Sequence, residues 1–229
     1  MILNLFQKVD NAISYLFNNT VNEKKFLKSF FGKKKITYVD IGANVGSYSD
    51  LLINTLNIKK GFLIEPSPSL FTKLSNRFNS KFFINYNFAI SNFNKKKKSF
   101  YEYKLSSQSS LYEQCGINSF NDLKEKFNVE TKKFDDVMDR GTFIDLCKID
   151  TQGEELNVLK GMSIFLKKKL IKLIKIEITF FASYKSTKTD YVEIINLMIK
   201  YNYKLVTISK IKFDKGRVLF LDAYFELSK

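Results

Sequence analysis

The segment Ile36-Thr37-Tyr38-Val39-Asp40-Ile41-Gly42-Ala43-Asn44-Val45-Gly46-Ser47-Tyr48 constrains this chain more than any other. A short apolar run ends in an aspartate, a glycine turn follows, and the residues beyond Gly46 read as the start of a helix. A strand that feeds a helix through a glycine turn opens the α/β sheets that hold nucleotide-like ligands outside the carboxyl ends of their strands. Glycine lets the backbone approach a ligand closely, and the helix N-terminus offers N–H groups and a positive dipole end. The spacing is Asp-x-Gly-x-x-x-Gly rather than Gly-x-Gly-x-x-Gly. That difference points away from a pyrophosphate cofactor and towards S-adenosylmethionine. A turn of this kind that binds nothing is the competing reading at this stage.

The rest of the chain alternates strand and helix. Thr37–Ile41 is the first strand, with a helix from Gly46 to about Asn57. Lys60–Ile64 is the second strand, closed by Glu65-Pro66-Ser67-Pro68, and a helix runs from Pro68 to about Phe78. Pro66 and Pro68 are the only prolines. Lys81–Ile90 is the third strand region. Lys95–Lys98 reads as a basic turn, Phe100–Lys104 as a strand, and Ser106, Ser107, Ser109 and Ser110 as a polar loop suited to lie over a cofactor or substrate. Leu111–Lys126 carries little pattern and reads as an irregular insert, with a short strand at Val129–Phe134. Phe143–Ile149, Ile171–Ile178, Lys204–Ile208 and Val218–Phe225 are further strands, with helices to about Leu159 and over Asp190–Lys200. Ahead of the first strand, Ile2, Leu5, Phe6, Val9, Ile13, Leu16 and Phe17 recur at helical spacing. This amphipathic helix is expected to cover the sheet edge or to carry self-association. With no Pro/Gly/Ser-rich linker and no repeat, residues 1–229 read as one domain, with a helical extension over 1–35 and the core over 36–229.

Composition removes several chemistries. The chain has no histidine, so Ser-His-Asp and Cys-His catalysis and His-ligated zinc are excluded within it. Its two cysteines, Cys115 and Cys147, imply neither a disulfide framework nor a zinc cluster and fit a cytoplasmic setting. Net charge is +15, which raises nucleic acid or an anionic membrane as partners. Nearly all of that charge is lysine; the arginines are Arg77, Arg140 and Arg217. Arginine is the residue that sequence-reading nucleic-acid sites favour, so the basic runs read as solvated surface and no specific nucleic acid is expected. No apolar run reaches the ~20 residues of a membrane span, and no secretory signal is evident.

Acidic residues recur at successive strand ends: Asp40, Glu65, Asp150 and Glu177. Carboxylates gathered there are costly unless they bind something. Glu65 follows Asp40 by about the spacing at which βαβ units place the acid that accepts from both ribose hydroxyls.

These residues resemble the FkbM family, a branch of the S-adenosylmethionine-dependent Rossmann-like methyltransferases. The likeness is carried by Val39–Ser49, Ile64–Pro68, Asn87–Ser91 and Phe134-Asp135-Asp136. It continues through Cys147-Lys148-Ile149-Asp150-Thr151-Gln152-Gly153-Glu154-Glu155, Leu159-Lys160-Gly161 and Ile176-Glu177. Lys-Ile-Asp-x-x-Gly-x-Glu is its most specific part, and Gln152 departs from it, since the family commonly has glutamate there. The resemblance implies a seven-stranded, mostly parallel sheet flanked by helices, with the last strand antiparallel. It also implies methyl transfer to an oxygen, often a sugar hydroxyl in a glycan, antibiotic or lipid. Position by position, Asp40, Gly42, Asn44 and Gly46 would line the methionine end of S-adenosylmethionine. Glu65 would hold the ribose, and Pro66, Asn87 and Ala89 would border the adenine. Asp150 is the best-placed base, and Lys148, two residues earlier and on the same side of the strand, either steers its pKa, bonds the acceptor or forms a salt bridge within the sheet. Glu177 would orient a sugar hydroxyl, with Glu154 and Ser110 on the substrate side. A divalent cation held by Asp150, Glu154 and Glu177 is a less favoured variant. RNA methylation and a non-catalytic binding module on the same fold are the alternatives to a glycan or small-molecule O-methyltransferase.

Overall fold

The computed structural model describes residues 21–114, 123–180 and 191–228. The expected amphipathic helix over 2–17, and any self-association through it, lie outside the described residues.

In chain order the strands are β1 (Lys35–Ile41), β2 (Asn57–Ile64), β3 (Phe83–Tyr86), β4 (Ala89–Ile90), β5 (Lys95–Tyr103), β6 (Leu123–Lys132), β7 (Ile144–Ile149), β8 (Ile171–Thr179), β9 (Tyr203–Asp214) and β10 (Arg217–Leu227). The helices are α1 (Glu23–Phe31), α2 (Ser47–Ile53), α3 (Pro68–Arg77), α4 (Phe134–Val137), α5 (Glu155–Gly161), α6 (Ser163–Lys167) and α7 (Tyr191–Lys200). Seven strands form the main sheet in the order β3-β2-β1-β7-β8-β10-β9. β1, β2, β3, β7 and β8 run parallel, and β10 runs antiparallel to both β8 and β9. This is the Rossmann-like sheet that the resemblance implies, with the chain reversing direction about β1 so that its carboxyl edge opens a crevice between β1 and β7.

The two faces of the sheet have different chemistry, and strand alternation explains it. On one face Val39, Ile41, Cys147, Ile149, Ile174, Ile176 and Ala223 pack under Leu159, Phe165 and Met198 of α5, α6 and α7. On the other, Tyr38, Leu146, Leu173 and Tyr224 pack against Leu27 and Phe31 of α1 and Leu52 of α2. Continuing each strand by two residues along this second face leads to Asp40, Lys148 and Lys175, which lie side by side in register. The apolar layer thus turns polar as it approaches the carboxyl edge.

The ribbon β5–β6 corrects the sequence reading. Lys95–Lys98 is not a turn but the start of β5, and β6 begins inside the stretch read as irregular. The two pair antiparallel, β4 joins β6 in parallel, and a second, three-stranded sheet results. A strand whose lysines point into water has no apolar alternation to betray it. The region read as a single third strand is therefore two: β3 in the main sheet and β4 in the small one. Pro68 takes the first helical position of α3, and the Ser67 hydroxyl accepts from Leu70 N at 3.4 Å, the capping arrangement that proline and serine favour there.

Candidate active site

A cavity of about 520 Å³ opens at the carboxyl edge of the sheet, within the ~300–1,000 Å³ of small-molecule sites. It is walled by Gly42, Ala43 and Asn44 after β1, Glu65 and Pro66 after β2, and Phe88, Ala89 and Ile90 at β4. Phe100, Ser106, Ser107, Ser109 and Leu111 of the ribbon close its side. A polar group lines the same cavity: Tyr48, Lys148, Asp150, Lys175 and Asp222, joined by Glu23 from α1 and Lys210 from β9.

The glycine turn is shaped by the protein itself. A Cβ on Gly42 would lie 1.9 Å from the Asp150 carbonyl oxygen, and one on Gly46 2.2 Å from the Phe78 ring. Both residues have positive φ, 76° and 87°, a region costly for side chains. Gly42 and Ala43 donate to Ile64 O, Asn44 to Glu65 Oε2, Val45 to the Asn44 side chain and Gly46 to Ala43 O. The N–H groups of Gly42 to Gly46 therefore have protein acceptors. Gly46 does not line the cavity and serves as the cap of α2.

Glu65 is buried, and its two oxygens accept from Asn44 N and Ser67 N, each at 2.8 Å. Burial outweighs those bonds and pushes its carboxyl up to about 7. Asn87 is set back from the cavity: its side-chain amide donates to Glu65 O at 2.9 Å and Pro66 O at 3.0 Å, fixing the loop after β2. Phe88, Ala89, Ile90 and Pro66 then leave an apolar slot beside the carboxylate.

Asp40 is fully buried and stands behind the wall, not in it. It accepts from Ser49 Oγ and from Lys148 Nζ, each at 3.0 Å. Lys148 also donates to Gly42 O at 2.9 Å and lies 3.5 Å from Asp150 Oδ2. Of the three roles open to Lys148, the geometry realises the salt bridge and the steering of Asp150. Burial opposes the lysine's charge, but Asp40 and Asp150 overcome it and raise its pKa. Asp150 shows 38% of its side chain to the cavity. Burial works against its ionisation too, yet Lys148, the Gln152 amide and Lys175 outweigh that and hold its carboxyl below the ordinary range.

Glu177 does not reach the cavity directly; Gln152 Nε2 donates to Glu177 Oε2 at 2.6 Å and to Asp150 Oδ1 at 2.9 Å. Burial, then the neighbouring Asp150, Glu155 and Asp222, raise the Glu177 carboxyl well above its usual value. Glu154 lines the cavity but is buried, and accepts from Ser91 Oγ. Ser110, unlike Ser106, Ser107 and Ser109, is withdrawn from the wall; its hydroxyl donates to Gln152 O at 2.7 Å. Among the described residues no three acidic or cysteine side chains converge to hold a metal ion, so the grouping of Asp150, Glu154 and Glu177 is not formed.

Sequence reasoning missed the polar wall. Lys175 pairs with Glu23 at 2.8 Å and Asp222 at 3.0 Å, its Nζ stands 4.6 Å from the Tyr48 ring centroid, and Tyr48 and Tyr224 share a hydroxyl contact of 3.1 Å. A second lysine within β8, two residues before Glu177 and buried in the strand, is the signal that could have found it.

A family description, the methyltransferase FkbM domain, matches residues 40–205. The chain belongs to the FkbM methyltransferase family. Glu23, Lys210 and Asp222 lie outside the FkbM match, so part of the polar wall comes from flanking elements. Among solved structures, the FkbM methyltransferase from Methylobacillus flagellatus is similar at 17% identity and a TM-score of 0.51, covering 83% of this chain. The chain spans 43% of that protein's length. A Clostridium thermocellum protein assigned as an rRNA methylase is similar at 10% identity and a TM-score of 0.50, over 91% of this chain and 95% of its own. Identities this low show the shared fold alone. No curated protein matches the sequence.

Proposed function

We propose that this FkbM-family chain is an S-adenosylmethionine-dependent O-methyltransferase whose acceptor is a hydroxyl of a sugar, glycan or other small natural product. The observation that carries the reading is one cavity lined both by Glu65 beside an apolar slot and by the half-buried Asp150 carboxylate. The residues fit the cofactor: Glu65 retains lone pairs for a ribose diol, and Pro66, Phe88, Ala89 and Ile90 suit a flat heterocycle. S-adenosylmethionine, when bound, supplies an electrophilic methyl group.

The work left to the chain is alignment and one proton. A hydroxyl oxygen must be held roughly 3–3.5 Å from the carbon it attacks. Asp150 can accept the hydroxyl hydrogen, and its lowered pKa keeps it ionised at neutral pH. A carboxylate stabilised in this way is a weak base. Its larger contribution is orientation, with the proton accepted as the new oxygen–carbon bond forms. Lys148, tied to Asp40 and Gly42, positions Asp150 rather than touching the acceptor.

A hydroxyl acceptor without phosphates suits the polar wall better than RNA does. Glu23, Asp150 and Asp222 there balance Lys148, Lys175 and Lys210, and Lys175 is paired with two of the carboxylates, so the wall carries no net positive charge for a phosphate backbone. Mass spectrometry of glycans and lipids from a strain lacking the gene tests this. Loss of one methyl increment from a glycan or lipid is expected; loss of methylation confined to RNA would refute the acceptor class.

A further inference from the structure

Gln152 sits where two carboxylates approach one another, and its side-chain amide is the group between them. An amide N–H₂ carries two donors, and here one distance, 2.9 Å, leads to Asp150 Oδ1 and the other, 2.6 Å, to Glu177 Oε2. The backbone that places it there is unusual: Gln152 has a φ of 54°, in the left-handed region that non-glycine residues seldom adopt. Such a conformation persists where surrounding contacts over-determine it, and the turn is held from three sides. Glu155 accepts from Thr151 N at 2.8 Å and from Gly153 N at 2.9 Å, while Ser110 Oγ donates to Gln152 O at 2.7 Å.

We infer that Gln152 is a positioning residue: its amide bridges Asp150 to Glu177 and thereby fixes the direction in which Asp150 faces the cavity. The inference rests on the reading of Asp150 as the group that meets the acceptor. It gives a role to three residues that have no cavity-facing function, since Ser110 and Glu155 hold the turn and Glu177 anchors the far side of the bridge. Asp150 is then gripped at both oxygens, Oδ1 by Gln152 and Oδ2 by Lys148. A rigid grip on a base is what alignment catalysis requires. The other charged groups facing this pair are Lys148 on β7, Lys175 on β8, Asp222 and Lys210 on the β9–β10 hairpin, and Glu155 on α5.

Two substitutions separate this role from a merely structural one. Gln152→Asn keeps the amide and suits the left-handed backbone, but is one methylene too short to span both carboxylates. Gln152→Glu keeps the length and removes both donors. The experiment follows the Asp150 and Glu177 carboxyl carbons by NMR through a pH titration of the full-length, isotope-labelled protein. Thermal unfolding and S-adenosylhomocysteine binding are measured alongside. In both variants the Asp150 titration is expected to move up by about one unit, a tenfold change in proton affinity. Gln152→Asn is expected to fold, with a melting temperature lowered by the lost hydrogen bond, and still to bind S-adenosylhomocysteine. Asp150 and Glu177 titrations that superimpose on wild type in both variants would overturn the inference, whatever happens to stability. Failure of the wild type to bind S-adenosylhomocysteine would instead refute the methyltransferase reading and leave the bridge to be judged by the titrations.

Discussion

Replacing Lys148 with methionine tests how the site is held together. Lys148 Nζ stands 3.0 Å from Asp40 Oδ1 and 2.9 Å from Gly42 O, and Asp40 is 0% exposed. Methionine fills the same space and removes the charge, so Asp40 keeps only its Ser49 bond in the buried site. Removing one partner of a buried pair leaves an uncompensated charge and costs about 3–5 kcal/mol. At ~2–4 °C per kcal/mol for a domain of this size, the melting temperature should fall by roughly 6–20 °C. The double variant Asp40→Asn with Lys148→Met no longer buries a lone charge. It should lose less than the two single losses combined, by at least about 1 kcal/mol. Denaturant titration of wild type, both single variants and the double variant completes the cycle. A Lys148→Met loss below about 1 kcal/mol, or strict additivity, would refute the claim that Asp40 and Lys148 act as one buried unit.

Three further outcomes follow from particular contacts. The Glu65 carboxyl is raised to about 7, and a ribose diol donates to its ionised form. S-adenosylhomocysteine affinity should therefore weaken as pH falls below about 7, and Glu65→Gln should flatten that dependence in calorimetry. Glu155, raised from 4.5 to about 7 mainly by burial, binds more protons folded than unfolded between those values. Its contribution makes stability fall as pH rises through that window, and Glu155→Gln should remove part of the slope in denaturant midpoints. Gly46→Ala drives a methyl into the Phe78 ring at a φ of 87°, so a loss of about 1–3 kcal/mol from overpacking, with left-handed strain added, is expected in thermal unfolding.

How much of this was legible in the sequence depended on which side chains faced the core. β1, β7 and β8 announce themselves because both faces of a central parallel strand are apolar, and Ile36–Ile41 and Phe143–Ile149 read accordingly. The residues that end those runs carried the resemblance to the family, and the resemblance implied the seven-stranded sheet. The ribbon did not: Lys95, Lys96 and Lys97 are exposed, and the pairing with β6, irregular between Lys95 and Lys98, runs through backbone bonds that leave no periodic trace. Within the site, Glu65, Pro66, Ala89 and Asp150 were foreseen and do line the cavity. The resemblance assigned Asp40, Gly46 and Asn87 to the cofactor, and they stand behind the residues that line the cavity. The clamp of Lys175 with Glu23 and Asp222 joins residues from α1, β8 and β10. Contacts so distant in sequence become visible only when strand register sets them side by side.

The central claim is that the cavity holds S-adenosylmethionine with Glu65 at the ribose. Calorimetric titration of the purified chain with S-adenosylmethionine, repeated on Glu65→Ala, tests it most directly. Hydrogen bonds to a charged group contribute about 1.5–3 kcal/mol, so the account predicts saturable binding to wild type and roughly 10- to 100-fold weaker binding to Glu65→Ala. Absence of binding to wild type, or equal affinity in the two proteins, would contradict it.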